Sequence, residues 1–139
     1  MELDPQSIDS ILEGLKVDFA KLTAADPKEL ESSLLILPCL FCDFLDFMSE
    51  ANELLTDNDW SSRFRLASFH PRYKFYGTEP EAASDLPNCS PYPIVHILLE
   101  DSVTWAVKSH PNIGAIPERN MVVMEALLAD QIANLFPFR

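Results

Sequence analysis

Glycine is almost absent, with three residues in 139. That excludes a glycine-rich phosphate loop of either common pattern, because each spaces several glycines over one short turn. Cysteine is equally scarce. Three cysteines cannot all pair, and three in a chain of this length make no disulfide scaffold, so a reducing compartment, the cytoplasm, is expected. Bases are also few, 10 against 22 acids, for a net charge of −12. An acidic shell repels phosphate backbones and argues against general nucleic-acid binding. No run of about 18 apolar residues occurs, so neither a spanning helix nor a membrane partner is expected. The start of the chain (MELDPQSIDS) has no basic n-region and no apolar h-region, so no secretory signal is expected. Repeats and low-complexity tracts are missing as well.

What remains is ordinary globular material. Apolar types make up 47% of the chain and charged types 23%, enough for a real core and too apolar for a disordered acidic tail. The length suits a single domain, 1–139. Charge is unevenly spread. Residues 1–59 hold 14 acids and 3 bases, whereas residues 60–92 hold 3 acids and 4 bases. The basic island from Arg63 to Lys74 is the one place suited to an anion.

Asp4-Pro5 reads as a helix start, an N-cap acceptor followed by proline at the first helical position. Ile8, Ile11, Leu12, Leu15, Phe19 and Leu22 then recur at steps of three and four, the stripe of an amphipathic helix over 5–22. Asp26-Pro27-Lys28-Glu29 resembles a capping box with room for only a short turn. Leu34 to Leu37 is a continuous apolar run of strand length that ends at Pro38 and suits burial on both faces. From Leu40 to Leu55 the period is helical again, stopping at Thr56-Asp57-Asn58-Asp59. Phe64 to Phe69 is a second strand. Strand, helix, strand predicts a parallel crossover. His70 to Pro93 is a proline-rich loop of about 24 residues, and loops of such length are usually functional or disordered. Pro93 opens a predicted helix with Ile94, Ile97 and Leu98 on one face, and Asp101-Ser102 recaps a turn through Trp105 to Val107. After a loop around Gly114, a final helix over 117–135 carries Met121, Met124, Leu127, Leu128, Ile132 and Leu135. The fold class that follows is α/β, with helices packed on a short, mostly parallel sheet.

The string FHPRYKFYGTEP in 69–80, then NCSPYP, HILLEDSV and PERN, resembles the bacterial and plant family known as domain of unknown function 1415. The similarity extends from the first helix to Asn120 or beyond. It implies the fold class and carries no established activity. It also implies a further helix, a Leu-Cys-Pro-Phe segment and a strand ahead of the part matched here. An open sheet edge is then expected, onto which a second chain, such as another copy, can dock.

The loop after the second strand is the foremost site candidate, because ligands bind beyond the carboxyl ends of strands in such sheets. There His70 is a candidate acid/base, Arg72 an anion clamp, and Tyr73 and Tyr76 orienting hydroxyls. Gly77-Thr78 offers backbone N–H groups to a ligand. The plainer alternative has His70 capping the strand while Tyr73 and Phe75 staple the loop. Ser90 and Tyr92 lie in the stiff SPYP segment leading to His96. On a helix, His96 and Glu100 share a face and can act as a base with its orienting carboxylate, or simply as a surface pair. Ser90 is either a nucleophile or a helix cap. A metal site needs His70, His96 and Glu100 to converge, and no zinc spacing is present, so no metal is expected. Cys39-Leu40-Phe41-Cys42 is a CxxC at a strand-to-helix junction, where thiol redox chemistry is the third option. Cys89 is a lone loop cysteine. The family resemblance brings in the PERN segment, with Arg119 reaching the anion; otherwise Glu118 and Arg119 cap the last helix. Trp60, Trp105, Met121 and Met124 read as packing residues.

The expectation is therefore a site for an anionic small molecule made by 70–78 with 90–96 and 118–120, catalytic or not, its cofactor undefined. The alternative is a non-catalytic interaction module using the open sheet edge or an apolar helix face.

Overall fold

The computed structural model describes residues 7–79 and 82–138. The expected Asp4-Pro5 helix start lies outside the described residues. Helix α1 runs Ile8–Ala24 and is capped by Ser7, whose hydroxyl accepts from the Ser10 N–H at 3.2 Å. Its stripe is the expected one, with Ile11, Leu15, Phe19 and Leu22 buried. Asp26 then closes a single turn, its carboxylate accepting from the Lys28 N–H at 2.9 Å. Strand β1, Ser32–Ile36, is followed by a 3-10 turn at Pro38–Leu40 and helix α2, Phe44–Asp57. Strand β2 is Phe64–Phe69 and strand β3 is Ile94–Leu99. Helices α3 (Glu100–Ser109), α4 (Ile116–Glu125) and α5 (Ala129–Leu135) complete the chain.

Helix α2 ends with Asp59 at φ 56°, and the Trp60 N–H reaches back to the Leu55 carbonyl at 2.8 Å. This left-handed position suits glycine better than any residue with a Cβ. Asp59→Gly is expected to raise stability by about 0.5 kcal/mol, read by urea unfolding, despite the greater freedom of glycine in the unfolded chain.

The three strands lie in the order β1-β3-β2, and β3 is antiparallel to both neighbours. This corrects the expectation of a mostly parallel sheet. β1 and β2 do point the same way across α2, but the segment expected to be a helix after Pro93 inserts between them as a strand. The reason is local. Ile94-Val95-His96-Ile97-Leu98-Leu99 is rich in β-branched residues, and burial alternates strictly along it. Ile94, Ile97 and Leu98 also satisfy helical spacing, which is why the two periods are confusable over six residues. As a central strand β3 pairs along its whole length, from Leu99 opposite Phe64 to Ile94 opposite Phe69 and Ile36.

α1 and α2 cover one face of the sheet. Their buried residues, with Leu37, Leu40, Phe64, Val95, Ile97 and Leu99, form one core. Phe19 sits at its centre, its ring 4.8 Å from Phe64 and 5.1 Å from Trp60. The predicted final helix is two helices. The Leu128 N–H leaves the ladder and donates to the Gln131 side chain at 2.9 Å, starting α5 afresh without a glycine or proline. Neither α3, α4 nor α5 contains a buried residue, so their apolar stripes, including Trp105 at 70% exposure, are not core. Among the described residues no helix is long and apolar enough to cross a membrane.

Candidate functional site

Because β1 and β2 point the same way, their carboxyl ends lie at one end of the sheet, where Ile36 and Phe69 both face Ile94. The segments leaving them therefore meet. One is the turn into α2, Phe41 to Leu45. The other is the loop His70 to Lys74. Between them lies a cleft of about 400 Å³ lined by Phe41, Cys42, Phe44, Leu45, Ser68, His70, Arg72, Tyr73 and Lys74.

His70 is the fastener between the two segments. The Arg72 N–H donates to Nδ1 at 3.0 Å, so Nδ1 is the unprotonated nitrogen; Nε2 then carries the hydrogen and donates to the Phe41 carbonyl at 2.9 Å. The imidazole also lies 4.8 Å from the Phe41 ring and 5.5 Å from Phe44. Both nitrogens are thus occupied by main chain. His70 thereby joins the turn into α2 to the loop after β2.

Arg72 stands with its guanidinium carbon 5.2 Å from the centroid of Phe41. This contact holds the fork by cation–π attraction and leaves its N–H groups unspent. Among the described residues neither Arg72 nor Lys74 has an ion-pair partner. The lining contains no carboxylate. Tyr73 packs edge-on against Phe75 at 5.0 Å. Cys42 lines the cleft and Cys39 stands three residues before it, both thiols exposed and neither in a disulfide.

The other sequence candidates lie elsewhere. Tyr76 is fully exposed at the tip of the turn Phe75–Thr78, where Gly77 takes φ 81°. That turn closes on itself through Thr78 N–H to the Phe75 carbonyl, so the glycine serves the turn. The Thr78 hydroxyl lies 3.1 Å from both oxygens of Asp85. Ser90 is buried and its hydroxyl donates to the Tyr92 carbonyl, while the Tyr92 ring is exposed. His96 lies midway along β3, and Glu100 is gripped by Arg65 through two bonds of 3.0 and 2.7 Å, so the supposed helical His96–Glu100 pair does not form. Arg119 is exposed on α4. Among the described residues no three His, Cys, Asp or Glu side chains gather as metal ligands.

Two features of the site were missed from sequence. The first is the apolar wall supplied by the start of α2. No signal marked it: Phe41, Phe44 and Leu45 are spaced i, i+3, i+4 and read as one core-facing stripe, yet of the three only Phe44 is buried. The second is Asp85, only 1% exposed, whose carboxylate accepts from the Phe75 N–H at 3.1 Å and ties the loop to the 3-10 segment Ala83–Asn88. From that segment the Asn88 carbonyl accepts from the His70 N–H at 3.2 Å, so the tie reaches the cleft wall.

No curated protein and no solved structure matches this chain. A family model does match, over residues 3–134, nearly the whole length, under the description "protein of unknown function (DUF1415)". The resemblance drawn from the FHPRYKFYGTEP, NCSPYP and PERN strings is thereby established: the chain belongs to the DUF1415 family.

Proposed function

We propose that the cleft between Phe41–Leu45 and His70–Lys74 binds a small anion, a carboxylate or phosphate joined to a flat apolar body. The observation that carries this reading is the pairing of two unneutralised cations, Arg72 and Lys74, with a lining free of carboxylate in a chain of net charge −12. Among the described residues Lys28, Arg63, Lys108 and Arg119 have no ion pair either, so it is the closeness of two cations in a lining free of acids that favours an outside anion. The Arg72 fork grips two oxygens, Lys74 adds a point charge, and Phe41, Phe44 and Tyr73 take the apolar body. His70 sets the width of the cleft by joining its walls. Nothing in this arrangement requires bond making, and the reading is one of binding.

Thermal-shift screening with aromatic carboxylates and aryl phosphates tests it. A ligand at about 100 times its Kd stabilises by about 2.7 kcal/mol, roughly 8 °C at this chain length. Arg72→Met removes one charge-assisted contact and is expected to weaken binding by about 1.5–3 kcal/mol, on the order of 10- to 100-fold. Lys74→Met should cost less, because its stem is flexible and its charge exposed. If no compound shifts the wild type, or the Arg72→Met/Lys74→Met double variant shifts equally, the proposal fails.

A further inference from the structure

Among the described residues the core packs on one face of the sheet. Val95, Ile97 and Leu99 point under α1 and α2, so Ile94, His96 and Leu98 project from the opposite face. The register places Leu34 and Ala67 beside His96, and Ile36 and Phe69 beside Ile94, on that same face. None of these is buried, and Leu34 and Ile36 are 60% and 54% exposed. β1 is moreover an edge strand, Ser-Ser-Leu-Leu-Ile, with no charge or proline within it to discourage docking.

From this uncovered apolar face we infer that the chain self-associates, the outer sheet face of one copy packing on the same face of a second.

Area is the first argument. The chain exposes 9435 Å², whereas a folded monomer of 15.7 kDa is expected to expose about 7,300 Å². The surplus of about 2,100 Å² belongs to the whole chain; on the outer sheet face it includes the exposed Leu34 and Ile36 beside the half-buried Ala67, Phe69, Ile94 and Leu98. The outer sheet face and the unburied helices α3 to α5 both contribute to it.

Charge selects the occupant. A two-fold contact sets each patch against itself, so a chain of net charge −12 can meet its copy only through a neutral surface. The groove between α1 and α2, where Asp9, Glu13, Glu50, Glu53 and Asp57 face a single cation, Lys16, repels its own copy. The outer face carries one cation, Arg65, and Glu100 already neutralises it. With no acid free to recruit a basic partner, this face recognises apolar surface, and its own copy supplies a matching one. Two such faces stack about 10 Å apart as a sandwich.

Sedimentation velocity at about 50 µM wild-type chain is expected to give a species of twice the 15.7 kDa chain mass. The Leu34→Glu/Ile36→Glu double variant should sediment as a monomer, its Kd raised more than about 100-fold by like charges set face to face. Val17→Glu, on the solvent side of α1, should leave the dimer intact. Should the double variant misfold by circular dichroism, hydrogen exchange of the wild type decides: amides of β1 and β3 gain protection with concentration if the face is shared. A wild type that stays monomeric, with exchange independent of concentration, overturns the inference. So does a folded double variant that stays dimeric. A monomer whose outer face binds a hydrophobic dye, with binding lost in the double variant, gives the face to a different protein and overturns it too.

Discussion

Phe19→Ala is expected to lose about 3–5 kcal/mol of folding free energy, the largest effect of any single substitution proposed for this chain. The ring is fully buried and touches both layers at once, packing on Phe64 of β2 and on Trp60 at the turn before it. Truncation removes the transfer free energy of the ring and leaves a cavity that cannot close, since Phe64 is fixed in the ladder opposite Leu99. The loss is large against the 5–15 kcal/mol that domains typically possess. The core also ends at Leu99, because no residue of α3 to α5 is buried, so the C-terminal helices offer no reserve of burial to offset it. Leu45→Ala is the matched control. Leu45 is 81% exposed on α2, and its loss should change stability by less than about 0.5 kcal/mol. Urea unfolding followed by circular dichroism reads both. A Phe19→Ala cost under about 1.5 kcal/mol would mean that α1 does not pack on the sheet as described.

The burial of Phe19 is visible in the sequence, and so is much of the N-terminal half; the exposure of Leu45, which shares the α2 spacing, is not. The α1 stripe, the α2 period and the β2 segment form where expected, and so does the β1 run stopped by Pro38, but β1 is an edge strand with Leu34 and Ile36 exposed, not a strand buried on both faces. β3 obeys two periodicities. Over six residues a strand and a helix turn can share the same apolar positions, and pairing with strands 30 and 60 residues earlier decides between them. Once β3 is a strand, sheet polarity changes throughout, which is why one local ambiguity reversed a global property. The cleft depends only on β1 and β2 ending at the same rim, which the change in sheet polarity leaves intact. His70, Arg72 and Tyr73 line that cleft, whereas Ser90, Tyr92 and His96 were placed by a helix that does not form, and Arg119, singled out by the family resemblance, lies on α4 outside the lining. The break before α5 had no glycine or proline to announce it. It depends on a side chain, Gln131, competing for the Leu128 N–H.

Asp85 left no sequence signal, since its partners lie seven and ten residues back and such bonds have no period; nevertheless, Asp85→Ala is expected to cost about 2–4 kcal/mol, the largest loss of any substitution outside the core. The carboxylate is buried, and the deletion strands the Phe75 N–H and leaves the Thr78 hydroxyl with the Phe75 carbonyl alone. Burying groups without partners costs more than the bonds themselves contribute. Asp85→Asn separates this account from a mere loss of packing. The amide oxygen still accepts from the Phe75 N–H, its NH₂ donates to the Thr78 oxygen, and the Thr78 proton turns to the Phe75 carbonyl, which lies 2.9 Å away. Every partner survives, so Asn should lose only about 1 kcal/mol. The same pair of variants reports on the cleft. Asp85 holds the Phe75–Thr78 turn to the 3-10 segment, Asn88 of that segment holds His70, and His70 holds Phe41. Asp85→Ala should therefore speed amide exchange at 70–78 and blunt any thermal shift by an anionic ligand, with α1 and α2 unchanged. If Asn proves as damaging as Ala, the hydrogen-bond count is not what holds the loop, and the cleft wall must owe its position to α4 packed over residues 83–88.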